Sequence, residues 1–161
     1  MHKELPHGLK LLTIWLVILL LVFLGFKAWE RESQQSLISV NADQIVLRRA
    51  ADGHFHWPGT IDGVAVDFLV DTGATATALP EALARRAGLT ATGQVRSQTA
   101  GGVAVGWLAQ ANLSLQGGVQ AQRLTVTVLP QLSAPLLGMD VLSKLHFSQQ
   151  GGELLIQAGA P

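Results

Sequence analysis

From Gln44 onward the apolar residues come in short runs separated by turn pairs, and this pattern limits the chain to a mostly β fold. QIVLR, HFHWPGTI, VAVDFLV, VAVGWLAQANLSL and LTVTVL are rich in β-branched residues, with Asp62-Gly63 and Gly117-Gly118 standing between runs. Asp-Gly flanked by alternating runs signals a tight hairpin, because the turn needs positive φ at both central positions. Two stretches break the β pattern. PEALARRAGL has Pro80 suited to a first helical position and Gly88 to a C-terminal cap, and MDVLSKLHF follows Gly138. Neither a repeat of tens of residues nor a glycine-rich phosphate-binding pattern occurs, which removes the commonest nucleotide-binding folds.

The N-terminal part is of a different kind. Sixteen residues without a charge, LLTIWLVILLLVFLGF, lie between Lys10 and Lys27. At 1.5 Å per residue they give about 24 Å of helix against a hydrocarbon core of about 30 Å. Snorkelling lysines and an interfacial Trp29 extend that reach, so Leu9–Trp29 is expected to form one transmembrane anchor after a short tail, residues 1–8. A small-x-small cleavage site is absent after the apolar run, which argues against a removed signal peptide. Residues 30–41, ERESQQSLISVN, are expected to be a polar linker reaching at most about 40 Å. Residues 42–161 are then the globular domain. Charges flanking the apolar run are nearly symmetric, so orientation rests on the N-terminal position of the helix, which favours a short tail inside.

Composition narrows the chemistry. The 11 Lys and Arg balance the 11 Asp and Glu, leaving no electrostatic footprint for nucleic acid. Cysteine is absent, so a disulfide framework, a thiolate metal site and a cysteine nucleophile are all excluded. His54 and His56 fall on one face of an expected strand, yet no third or fourth ligand accompanies them, and they read as surface or interface histidines. Neither a metal nor a cofactor is expected.

One constellation carries chemistry. In VDFLVDTGATATAL, Asp71-Thr72-Gly73 comes directly after an apolar strand, which delivers a carboxylate from a strand end into a tight turn. Two such turns meeting back to back place two carboxylates close enough to share a proton, since like charges about 3 Å apart cannot both ionise. An acid and a base then coexist around one water. The tripeptide alone is weak, because Asp, Thr and Gly also favour ordinary surface turns. Its setting is more telling. A second apolar-apolar-Gly element, Leu136-Leu137-Gly138, opens a helix about 65 positions later.

With GHFHWPGTIDGVAVDFLVDTGATATALP, the TAGGVAV stretch and APLLGMDVLSKLHF, the chain from about Gly53 to Ile156 resembles the bacterial retropepsin-like aspartic proteases, relatives of the retroviral enzymes. The resemblance implies a retropepsin-like closed β fold with short helices. In it, the Leu136-Leu137-Gly138 strand threads beside the catalytic loop and a Gly138-to-Leu145 helix packs beneath. It implies an obligate homodimer with Asp71 as catalytic acid/base, Thr72 as bracing hydroxyl, and Gly73 in the turn. Substrate would meet Ala74, Thr75 and a flap hairpin centred on Gly101-Gly102. Retroviral enzymes usually carry an acidic residue where Thr75 stands and an arginine where Met139 stands; both are replaced here, leaving no orphan charge. Asp140 is expected as a helix N-terminal carboxylate favoured by the dipole. With no tyrosine in the chain, an aromatic flap contact would have to come from Trp107 or be missing.

The expected function is thus a membrane-anchored aspartic endopeptidase of the bacterial inner membrane, its domain on the periplasmic side and its substrates juxtamembrane segments. The alternative is a catalytically inactive dimerisation or peptide-binding module on the same fold.

Overall fold

The computed structural model describes residues 7–35, 38–41, 44–99 and 101–157. The chain divides into two units, Met1–Leu37 and Ile38–Pro161.

The first unit contains helix α1, His7–Gln35, of 29 residues. From Leu11 to Phe26 its large apolar side chains are all exposed, on every side of the helix. This run covers only about 24 Å of axis, and among the described residues no helix is long and apolar enough to cross a membrane. The span expected over 9–29 is therefore not supported by the structure. The extended linker expected over 30–41 is also replaced, by helix as far as Gln35 and a strand from Ile38. GluArgGluSerGlnGln contains neither proline nor glycine, so nothing stops a helix already propagating from the apolar run.

The second unit is mostly β. Strand β1 (Ile38–Asn41) pairs with β2 (Gln44–Arg48), β2 with β11 (Glu153–Gln157), and β11 with β10 (Phe147–Gln150), all antiparallel. The larger sheet runs in the order β3 (His56–Ile61), β4 (Val64–Val70), β9 (Leu136–Leu137), β5 (Ala78–Pro80), β8 (Gln120–Leu129), β7 (Gly102–Leu115), β6 (Gly93–Thr99). An additional β3–β7 pairing, Gly59–Ile61 against Leu113–Leu115, closes it on itself. Closure leaves no free edge on the ring strands, and β6 extends from it only through its pairing with β7.

The turn pairs do what their composition requires. Asp62 and Gly63 have φ of 44° and 82°, the positive angles of a tight two-residue turn, while Gly117 and Gly118, at 97° and 89°, lie in a three-residue loop closed by the Leu115 N–H on the Val119 carbonyl. The two helical interruptions are shorter than expected. Helix α2 is Glu81–Arg86, with Pro80 at its N-cap instead of its first turn, and α3 is Met139–Leu142, ending well before Leu145. Trp57, Phe68, Leu79, Val126, Val128, Leu137, Leu142 and Ile156 form the centre of the core, each at most 1% exposed. Strands β2, β3, β4, β5, β7, β8, β9 and β11 each contribute buried apolar side chains to the core, which fixes strand register and with it the end of β4.

Candidate active site

Strand β4 ends at Val70 beside β9, which runs parallel to it with Leu69 opposite Leu136 and Val70 opposite Leu137. The backbone N–H of Asp71 donates to the Leu137 carbonyl at 3.0 Å, so the strand pairing continues one residue into the motif. The chain then turns. The Ala74 N–H reaches the Asp71 carbonyl at 3.2 Å, and the Gly73 N–H donates to Asp71 Oδ1 at 2.8 Å. A side-chain acceptor closing its own turn is the Asx geometry that Asp favours. It orients the carboxylate and leaves Oδ2 available. Asp71 is half-buried, while Thr72 and Gly73 are exposed.

The loop from Asp71 to Thr77 is stitched to the corner between β9 and α3. Met139 N–H donates to the Ala74 carbonyl at 2.8 Å. Thr77, with no exposed surface, donates from its N–H to Asp140 Oδ2 at 2.9 Å and from its hydroxyl to Asp140 Oδ1 at 2.8 Å. Its Oγ1 accepts from the Gly138 N–H at 3.3 Å. Gly138 has no alternative at this crossing: a Cβ there would lie 2.5 Å from the Ala76 carbonyl carbon. Asp140 is thus turned onto the Asp71–Thr77 loop, with only its Oδ1 also accepting from the helix's own Val141 N–H at 3.0 Å. Asp140 is in the first turn of α3, as expected, and the two bonds to Thr77 are an addition to that placement. A 63-residue separation hides the Thr77–Asp140 pairing from any local pattern.

Of the expected substrate-facing residues, Ala74 and Thr75 lie in this loop, half-buried and exposed respectively. Gly101 and Gly102 belong to the β6–β7 hairpin. Thr99 pairs with Gly102, and its hydroxyl donates to the Gly102 carbonyl at 2.8 Å, which makes Gly102 the first residue of β7; Ala100 lies outside the described residues. Gly102, with φ of 108°, is at a position where a side chain would be strained. Trp107 is not a flap-tip contact. It is partly buried against the core and pairs with Gln94 and Val128, five positions beyond Gly102. Val103 and Val105, 65% and 61% exposed, are instead the apolar side chains that the hairpin presents. Met139 packs against the core where the retroviral pattern has an arginine, consistent with the joint loss of that charge pair.

His54 lies in the turn before β3 rather than on the strand. His56 has Nδ1 at 2.9 Å from Asp67 Oδ2 and Nε2 at 2.8 Å from Asp52 Oδ2. Partial burial of the ring opposes its charged form, but hydrogen bonds and negative charge from the two carboxylates outweigh this and raise its pKa above 6.5. Asp52 is lowered from its ordinary 3.8, chiefly by the His54 N–H and then by the His56 ring. Among the described residues no group of three or more His, Cys, Asp or Glu could hold a metal ion.

A sequence profile described as "gag-polyprotein putative aspartyl protease" matches residues 57–144, which contain both Asp71-Thr72-Gly73 and the Gly138–Asp140 corner. An uncharacterized protein from the cobV 5′ region of a Sinorhizobium species is 30% identical over 163 residues, spanning 89% of this chain and 70% of that protein. An uncharacterized protein of Rickettsia prowazekii is 29% identical over 98 residues, 54% of this chain and 42% of that one. The chain therefore corresponds to less than half of the Rickettsia relative's length. Among solved structures, a retropepsin-like aspartic protease from Rickettsia conorii superimposes with a TM-score of 0.58 at 24% identity, covering 74% of this chain and 94% of that one. The EIAV protease gives 0.50 at 18% identity, covering 58% and 89%. These two likenesses establish the fold. With the family match extending over both the Asp71 loop and the Gly138–Asp140 corner, the chain belongs to the retropepsin-like aspartic protease family.

Proposed function

We propose that the protein is an aspartic endopeptidase that hydrolyses peptide bonds with a water activated by two Asp71 carboxylates, one from each subunit of a homodimer. The observation that carries this is a single half-buried Asp71, oriented by its own turn at the end of a core strand and present once per chain. In the pair, the ionised carboxylate takes a proton from water as the oxygen attacks the scissile carbonyl. The protonated partner supports the developing oxyanion, and a proton is returned to the leaving amine. Thr72 braces the two turns, Gly73 and Ala74 allow close approach of substrate backbone, and Thr75 with the Gly101-Gly102 hairpin flanks the peptide.

We further propose that α1 holds the enzyme at the bacterial inner membrane with the protease domain on the periplasmic side, acting on juxtamembrane segments of other proteins. Supporting this is the exposure of its apolar side chains all around the helix, a pattern stable in water only if something covers it. A flanking lysine such as Lys27 lengthens its reach by snorkelling.

Peptide-library cleavage by the full chain in detergent, with and without Asp71→Asn, tests the chemistry. Cleavage lost with the variant supports it. Peptide binding by the wild type without any cleavage would instead favour an inactive peptide-binding module.

A further inference from the structure

We propose that Thr77 and Asp140 form a positioning pair that sets the placement of Asp71, acting where the acid–arginine pair of the retroviral enzymes is missing. This rests on the protease function proposed above. Neither residue touches the position of the reacting water; both act through the loop.

Asp71–Thr77 has no regular secondary structure between β4 and β5, and Thr72, Gly73 and Thr75 along it are exposed. Packing therefore cannot hold its middle. Besides the Thr127 N–H that reaches the Thr77 carbonyl at 3.0 Å, it is held at three places: Asp71 N–H on the Leu137 carbonyl, Met139 N–H on the Ala74 carbonyl, and the Thr77–Asp140 contact. The first two are backbone bonds that any sequence could make. The third is a chemical choice, because it needs a hydroxyl that donates to Oδ1 while accepting from Gly138, and a group with two acceptor oxygens. The side-chain polar atoms of this part-buried knot are partnered: among the described residues no buried side-chain N or O lacks a hydrogen bond. Such a fully satisfied network defines one geometry instead of several. A two-carboxylate site requires that, since both copies of the loop must bring Asp71 to the same axis, and a misplacement of about 1 Å can cost on the order of a hundredfold in rate.

The pair makes a chemical prediction distinct from simple stabilisation. Thr77→Val keeps shape and removes the hydroxyl; Asp140→Asn puts an NH₂ where an acceptor is needed; Thr77→Ser keeps the hydroxyl and drops only a methyl group. In the full chain, kcat is expected to fall about tenfold to a hundredfold in Thr77→Val and in Asp140→Asn, with KM changed less than about threefold. Thr77→Ser is expected to stay within about threefold of wild type. The double variant should be no slower than the slower single, because the two residues act as one unit.

Asp71→Asn run in the same assay separates the two levels. If wild-type cleavage does not depend on Asp71, the protease function falls and the pair's role with it. If it does, and Thr77→Val or Asp140→Asn keeps wild-type kcat, or Thr77→Ser falls as far as Thr77→Val, only the positioning role is overturned. Should Thr77→Val or Asp140→Asn fail to fold, Asp140→Glu decides the matter: it keeps charge and both acceptors but moves them by one methylene. A folded Asp140→Glu with at least tenfold lower kcat supports the pair, and one with unchanged kcat overturns it.

Discussion

Asp71 needs opposite things from its two sides: a rigid strand behind it and open space in front. Buried β4 and its parallel neighbour β9 supply the first, and the Asx turn through the Gly73 N–H supplies the second without using Oδ2. Asp71→Asn keeps size and the turn's acceptor but cannot take a proton from water, so kcat should fall by at least about 10²-fold while the far-UV spectrum is unchanged. Gly138 offers a complementary test of packing. Gly138→Ala would press a methyl group into the Ala76 backbone, and chemical denaturation should register a loss of at least about 1–3 kcal/mol. Unchanged stability would mean the corner is looser than the distances indicate. Asp71-Thr72-Gly73 and Leu136-Leu137-Gly138 were legible in the sequence because each is a contiguous pattern with a local physical reason. The place of Asp140 in a helix first turn was legible too, but its bonds to Thr77 were not, because only the threading of β9 between β4 and β5 brings the two together.

The hairpins follow from their turn residues alone, whereas helix ends and the entry into the domain do not. No breaker separates Lys27 from Gln35, so α1 overruns the expected linker, and Ile38–Asn41 becomes a strand only because β2 lies beside it. At the start of β3, the turn over 50–54 is clasped to β4 through Asp52, His56 and Asp67. Both ring nitrogens face carboxylates, and only the imidazolium has two N–H groups to donate. Since His56 binds its proton more tightly in the fold than in the unfolded chain, its stabilisation is complete below about pH 6.5 and is lost as pH rises through the raised value. Asp52 contributes in the opposite sense, above 3.8 and failing as pH falls through its lowered value. The clasp should therefore be closed between those limits. Thermal melts of wild type and His56→Gln are expected to differ most between about pH 4.5 and 6 and to draw together as pH rises above 6.5 through the raised His56 value. A difference that grew with rising pH would contradict a protonated clasp.

Across the whole molecule, closure of the larger sheet through β3 and β7 depends on residues more than fifty positions apart, so it could be expected from the family resemblance and not from periodicity. The same closed unit carries one Asp-Thr-Gly, and a two-fold axis is the simplest operator that sets it beside a copy of itself. If α1 confines chains to a bilayer, their effective concentration rises and a weak dimer suffices. A chain beginning at Ile38 should then lose cleavage of a membrane-tethered substrate far more than cleavage of a free peptide at dimer-saturating concentration; equal losses would remove the anchor from substrate selection. Central to all of this is that each active site takes one carboxylate from each of two chains. Mixing wild type with an equal amount of Asp71→Asn under conditions where subunits exchange and dimers saturate tests it directly. Random pairing leaves about half of the wild-type chains in mixed dimers with one competent carboxylate, so total cleavage should drop to about half of that from wild type alone. Cleavage undiminished by the added variant would show that one chain suffices and would contradict the shared site.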